Sequence, residues 1–155
     1  MGSGNKFDSA LSTRGGKANY ITSTDISSNS NLSKEILKEM NQEGIKYSKD
    51  KIVFAAKLEN GNKIFLEKGA VNHIIEHHSK DFEKAFGVKN SQIPSLLGET
   101  ISRGKLVQSY KHESNGIEGY RNVYYYKGNY TVVYAIASNG YIETAFPMKY
   151  KGGPK

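Results

Sequence analysis

The apolar positions of this chain change their period as the sequence proceeds. Residues 1–30 show no period: Ser, Asn, Gly and Thr dominate with scattered charge, which predicts a disordered or linker lead. Asn31-Leu32-Ser33 then offers a cap, and Ile36, Leu37 and Met40 recur at helical spacing until Glu43-Gly44 ends the run. Two short β-prone runs follow, Lys51–Leu58 and Lys63–Glu67, with Asn60-Gly61 between them. That dipeptide predicts a hairpin closed by a type I′ turn, which needs positive φ at both central residues. Over Gly69–Phe86 a stripe of Val71, Ile74, Ile75, His78, Phe82, Ala85 and Phe86 predicts a long amphipathic helix stopped by Gly87. A second helix is predicted over Gln92–Arg103, with Pro94 in its first turn, Leu96, Leu97 and Ile101 inward, and Gly104 at its end.

From Lys105 the period drops to two. Strands are predicted at 105–111, 119–127, 130–137 and 141–147, with turns at Asn115-Gly116, Gly128-Asn129 and Asn139-Gly140. Such short connections leave no room for crossover helices, so the sheet is an antiparallel meander. The run 130–137 is apolar on both faces and is placed centrally. The fold class is therefore α+β: N-terminal helices packed on a four-stranded, or larger, antiparallel sheet, forming one domain over residues 31–150 with a frayed tail at 151–155.

Composition narrows the chemistry. The 155 residues carry a net charge of +7, and they include no cysteine. Disulfides, thiolate catalysis and cysteine-ligated metals are excluded. The positive charge favours nucleic acid, an anionic surface or an acidic protein. No apolar run approaches the ~18 residues of a membrane span, so no stable membrane association is expected. Met1-Gly2-Ser3-Gly4 reads as an appended start, which would make the chain a piece of a longer protein.

Three of the four histidines fall within His73-Ile74-Ile75-Glu76-His77-His78. Histidine transfers protons near neutral pH, and His73 and His77 lie about 40° apart around a helix, able to flank one spot. The same stretch matches His-x-x-Glu-His, the zinc-binding pattern of inverted zinc proteases, for which Glu99, Glu113 or Glu118 would have to supply a third ligand. Nine of the eleven tyrosines lie at or beyond Tyr110. Most suit half-buried strands, and one or two can stack on nucleobases. Arg121 and Tyr124 are the pair expected to hold phosphate. Thr144 shares a strand face with Ile142 and Phe146, so its hydroxyl needs a partner in the backbone or in a substrate phosphate. His77, Lys105 and Tyr126 are substrate-binding candidates, and Lys111 and His112 are weaker ones.

In order and spacing, His73–His78, Asp81-Phe82, Gly119-x-Arg121-x-x-Tyr124, Asn139-Gly140-Tyr141-Ile142 and Ala145-Phe146-Pro147 resemble a group of bacterial polymorphic toxin domains. These are the C-terminal ribonuclease modules of contact-dependent growth inhibition toxins, placed with barnase, EndoU, colicin and RelE type nucleases. The resemblance implies a compact helix-plus-sheet fold that cuts RNA, often transfer RNA, without a metal or other cofactor. By position, His73 and His78 would be its catalytic histidines, His77 a cationic position, and Arg121, Tyr124 and Thr144 polar groups facing the cleft. The expected partners are RNA, an acidic cognate immunity protein and, in the target cell, a host factor. The expected place of action is the cytoplasm of a target cell reached from a secreted or surface-delivered effector. Two other readings fit the residues: a non-catalytic module binding RNA or an acidic protein, and a zinc hydrolase.

Overall fold

The computed structural model describes residues 19–149. In chain order they form β1 (Asn19–Thr22), α1 (Ser23–Ser27), α2 (Asn31–Gln42), β2 (Ile52–Lys57), β3 (Lys63–Glu67), α3 (Lys68–Phe86), α4 (Ile93–Arg103), β4 (Lys105–Ser114), β5 (Ile117–Tyr126), β6 (Asn129–Ile136) and β7 (Ile142–Met148). The fold is α+β, with two antiparallel sheets ordered β1-β2-β3 and β4-β5-β6-β7. The second is the predicted meander.

The polar lead is folded from Asn19 onward, which corrects the expectation of a disordered segment through residue 30. β1 pairs with β2, Ile21 and Ile26 are buried, and Thr22 caps α1 by accepting from the Asp25 amide at 3.3 Å. Tyr20 seats β1 against α4, where a Cβ on Gly98 would lie 2.1 Å from the tyrosine oxygen. A four-residue strand and a five-residue helix are too short for any apolar period to show. Residues 1–18 and the predicted tail at 151–155 lie outside the described residues.

Local chemistry sets the remaining boundaries. α2 is capped by Ser30, whose hydroxyl accepts from the Ser33 amide at 3.1 Å, one residue before the expected cap. α3 ends at Gly87 in the left-handed conformation, φ 69°. Both hairpins of the meander's first three strands are two-residue turns with positive φ at both positions, Asn115-Gly116 (54°, 78°) and Lys127-Gly128 (52°, 81°). The Asn60-Gly61 turn is different: only Gly61 has positive φ, and the loop closes through Leu58 and Asn62, so it is not type I′.

Two cores result. Ile36, Leu37 and Met40 of α2 cover one face of the three-stranded sheet at Ile52, Ala55 and Phe65. Ile74 and Phe82 of α3 and Leu97 and Ile101 of α4 pack on Tyr124, Val133, Ala135 and Ala145 of the meander. The sheets meet where the Phe65 amide donates to the Gly140 carbonyl at 2.9 Å. The meander's other face is left to the side chains that follow.

Candidate functional site

Register decides which side chains meet. Tyr110 of β4 pairs with Arg121 of β5, Arg121 with Tyr134 of β6, and Tyr134 with Thr144 of β7. These four residues form one row straight across the sheet. Directly opposed residues share a face, so the row lies opposite the α3–α4 core. On one side runs a row containing His112 and Gly119, on the other a row containing Val123, Val132 and Phe146.

Arg121 is the centre. Its Nε donates to the Tyr134 hydroxyl at 3.0 Å, Nη1 to the Tyr110 hydroxyl at 2.6 Å, and Nη2 to Met148 Sδ at 3.2 Å. The guanidinium also lies over both phenol rings, 5.4 Å and 5.9 Å from their centroids. Among the described residues it has no carboxylate partner within ion-pair distance. Its positive charge is thus held in place by neutral groups. Each phenol accepts from the guanidinium, which leaves its own O–H for a ligand.

Two histidines flank the row from opposite sides. His112 meets Tyr134 edge-on, with ring centroids 5.0 Å apart. It reaches across β5 because its directly opposed residue is Gly119, where a Cβ would stand 3.4 Å from His112 Nε2. His78 comes from α3 and stacks on Phe146 at 4.8 Å, while Phe146 lies 6.0 Å from Tyr134. Its Nδ1 is 3.3 Å from Asp81 Oδ2, which orients the ring and leaves Nε2 free to face the sheet or solvent. Thr144 Oγ1 is buried and has no hydrogen-bond partner. Without a movement of neighbouring side chains a ligand cannot touch it.

The sequence candidates divide accordingly. His78, Arg121 and Thr144 come together on this face. Tyr124 does not: β5 pairs with β6 without a break from Gly119 to Tyr126, so Tyr124 points away from Arg121 into the core. Burial pushes its phenol up to about 12, against a smaller opposing pull from Asn122. Tyr126 shares that reverse face and donates to Glu99 Oε1 at 2.9 Å. Burial, then Glu99, raises its pKa. Lys105 is exposed at the start of β4, in register with Tyr125 rather than with the row. His73 and His77 are exposed on α3 with rings 4.5 Å apart, and His77 lies 6.3 Å from His78. The ring contact that His73 makes is with His77, not with the sheet. No group of three or more His, Cys, Asp or Glu among the described residues is arranged to hold a metal, so His73, Glu76 and His77 gain no third ligand from Glu99, Glu113 or Glu118.

Sequence reasoning missed Tyr110 and Tyr134, and ranked His112 low. One signal was present. A two-residue turn at Asn115-Gly116 fixes Tyr110 opposite Arg121 and His112 opposite Gly119. No family model and no curated protein matches this chain.

Proposed function

We propose that this chain is a metal-independent endoribonuclease whose site is the Tyr110–Arg121–Tyr134 row and its two flanking histidines. The observation that carries the reading is the Arg121 guanidinium, with no carboxylate partner among the described residues and framed by two phenol O–H groups. Such an arrangement suits one phosphodiester, with the planar fork on its non-bridging oxygens. The net charge of +7 draws a polyanion towards it.

With a phosphate on the row, the nearby 2′-hydroxyl oxygen attacks phosphorus and its proton passes to one histidine. The P–O5′ bond breaks, and the leaving oxygen takes a proton from the other. The products are a 2′,3′-cyclic phosphate and a free 5′-hydroxyl. Arg121, Tyr110 and Tyr134 neutralise the charge that builds on the phosphorane. His78 and His112 are the two proton carriers in this scheme, in place of His73 and His78. Phe146, already stacked on His78, offers an aromatic surface for an adjacent base. If the chain is a toxin delivered into other cells, transfer RNA is a candidate target and an acidic immunity protein a candidate partner.

The test is incubation with total RNA, with all-DNA and with RNA carrying a single 2′-deoxy substitution, all in EDTA. Cleavage of RNA alone, stopped by the 2′-deoxy substitution and lost in Arg121→Ala, His78→Ala and His112→Ala, supports the proposal. RNA that is retained on a gel but stays intact would make this a binding module. Cleavage that appears only on adding zinc would make it a metal hydrolase.

A further inference from the structure

On the reverse side of β5 from Arg121 there is a concavity of about 330 Å³, with walls from the β2–β3 turn, the end of α2, β4–β5 and the β6–β7 turn. Its lining does not share the net positive charge of the chain. Glu43 and Lys63 are the charged residues that line it, and they neutralise each other. The Lys63 ammonium is 2.5 Å from Glu43 Oε2 and 2.9 Å from Glu39 Oε1, with its side chain 3% exposed. Lys57 completes the cluster at 3.0 Å from Glu39, so two cations meet two anions. The remaining polar lining includes four asparagines, Asn60, Asn62, Asn122 and Asn139.

The concavity is also preformed. Asn122 is fixed where its Oδ1 accepts from the Ser109 hydroxyl at 2.5 Å, and the β6–β7 turn is pinned to β3 at Gly140. A Cβ on Gly140 would overlap the Lys63 carbonyl, so the two walls touch there. Between the carboxamides lie flat or apolar surfaces, Tyr120, Leu58 and Leu106 among them.

From this lining we infer that the concavity is a binding site for a neutral, planar heterocycle with an amide-like donor–acceptor edge, the chemical class of an uncharged nucleoside. Balanced charge gives an anion no advantage there. Asn60, Asn122 and Asn139 already accept through Oδ1 from the Asn62 amide, the Ser109 hydroxyl and the Tyr141 amide. The Asn62 carboxamide, with the amino groups of Asn60 and Asn139, therefore supplies the donor–acceptor edge that matches a nucleobase, and the Tyr120 ring and the leucines cover its faces. The site faces away from the Arg121 row, and its occupancy does not depend on the nuclease reading.

The experiment is an NMR titration of the whole chain with adenosine, guanosine, cytidine and uridine, and with their 5′-monophosphates. At least one nucleoside is expected to bind with a dissociation constant of about 1 mM or tighter, moving the side-chain amide signals of Asn62 and Asn122. Its monophosphate is expected to bind no tighter. Asn62→Ala, at an exposed position, or Tyr120→Ala is expected to weaken binding about tenfold, a loss of about 1.4 kcal/mol. Four results would overturn the inference: no nucleoside bound in this range, monophosphates bound tighter than nucleosides, signals moving at His78 and Phe146 instead, or both variants binding as the parent does.

Discussion

The imidazole of His112 lies across the backbone of β5 and meets the ring of Tyr134 two strands away, at 5.0 Å. The intervening residue is Gly119, and a side chain there would press on the backbone of β6 beside that ring. A Cβ at Gly119 would stand 2.8 Å from the Ala135 carbonyl as well as 3.4 Å from His112 Nε2.

Gly119→Ala is therefore expected to overpack the site, costing about 1–3 kcal/mol and displacing His112. RNA cleavage should fall much further than this stability loss explains. A thermal melt beside a cleavage assay at a temperature where the variant is folded separates the two effects. Unchanged cleavage would remove His112 from the mechanism.

Arg121→Lys keeps the charge but loses the fork held by Tyr110 and Tyr134. An ammonium cannot make those three directed contacts at once. Loss of one such donor set at a developing oxyanion is expected to slow cleavage about 10²–10³-fold. Single-turnover rates on a short RNA check this, and a rate near that of the parent would show that only charge matters.

His73→Ala is expected to leave cleavage within about threefold of the parent, whereas His78→Ala abolishes it; the two rings differ in that only His78 reaches the sheet, at Phe146. The opposite ranking in a rate measurement would favour a site built on His73 and His77, the pair that helical spacing lets flank one spot.

Tyr124 makes stability depend on alkaline pH. Its phenol is held at about 12 in the fold against an ordinary value of 10.0. The folded state thus retains the proton more strongly than the unfolded chain does. This contribution is complete below about pH 10 and is lost as pH rises through about 12, amounting to about 2–3 kcal/mol. Denaturant melts of the parent and Tyr124→Phe across that window should approach each other and then cross as pH rises, leaving the parent the less stable by about 1–2 kcal/mol above it. Below it, the variant should be less stable by about 1 kcal/mol, since Asn122 loses its phenol partner, and its cleavage should be unaffected.

Glu39 supplies the acid-side counterpart. Hydrogen bonds from Lys63 and then Lys57 hold its carboxyl below the ordinary glutamate value of 4.5. Its stabilisation is present above that value and is lost as pH falls through the depressed one. Glu39→Gln should flatten the acid limb of a pH–stability curve. An unchanged limb would mean that the pairs to Lys57 and Lys63 contribute nothing to the fold.

The amino-acid sequence by itself determined the long helix, the meander and the turn at Asn115-Gly116. These rest on local periods and on the backbone freedom of particular residues, and the structure follows them. Alternation along β7 set Thr144 on one face with Phe146, but it also placed Ile142 there, and the irregularity in β6–β7 pairing beside Tyr134 turns Ile142 into the core on the reverse face instead. The β5–β6 turn shows where local reasoning stopped. Placed at Gly128-Asn129 rather than Lys127-Gly128, it moves the register by two residues and sets Ile136, not Tyr134, opposite Arg121. Helical spacing put His78 on the apolar stripe, and tertiary structure decided what its ring meets. A helix shows three imidazoles at neighbouring angles, and the packing of α3 beside β7 brings only His78 onto Phe146. It also drew Asn19–Ser27 into the fold, because one isoleucine per short element becomes significant only when another part of the chain buries it.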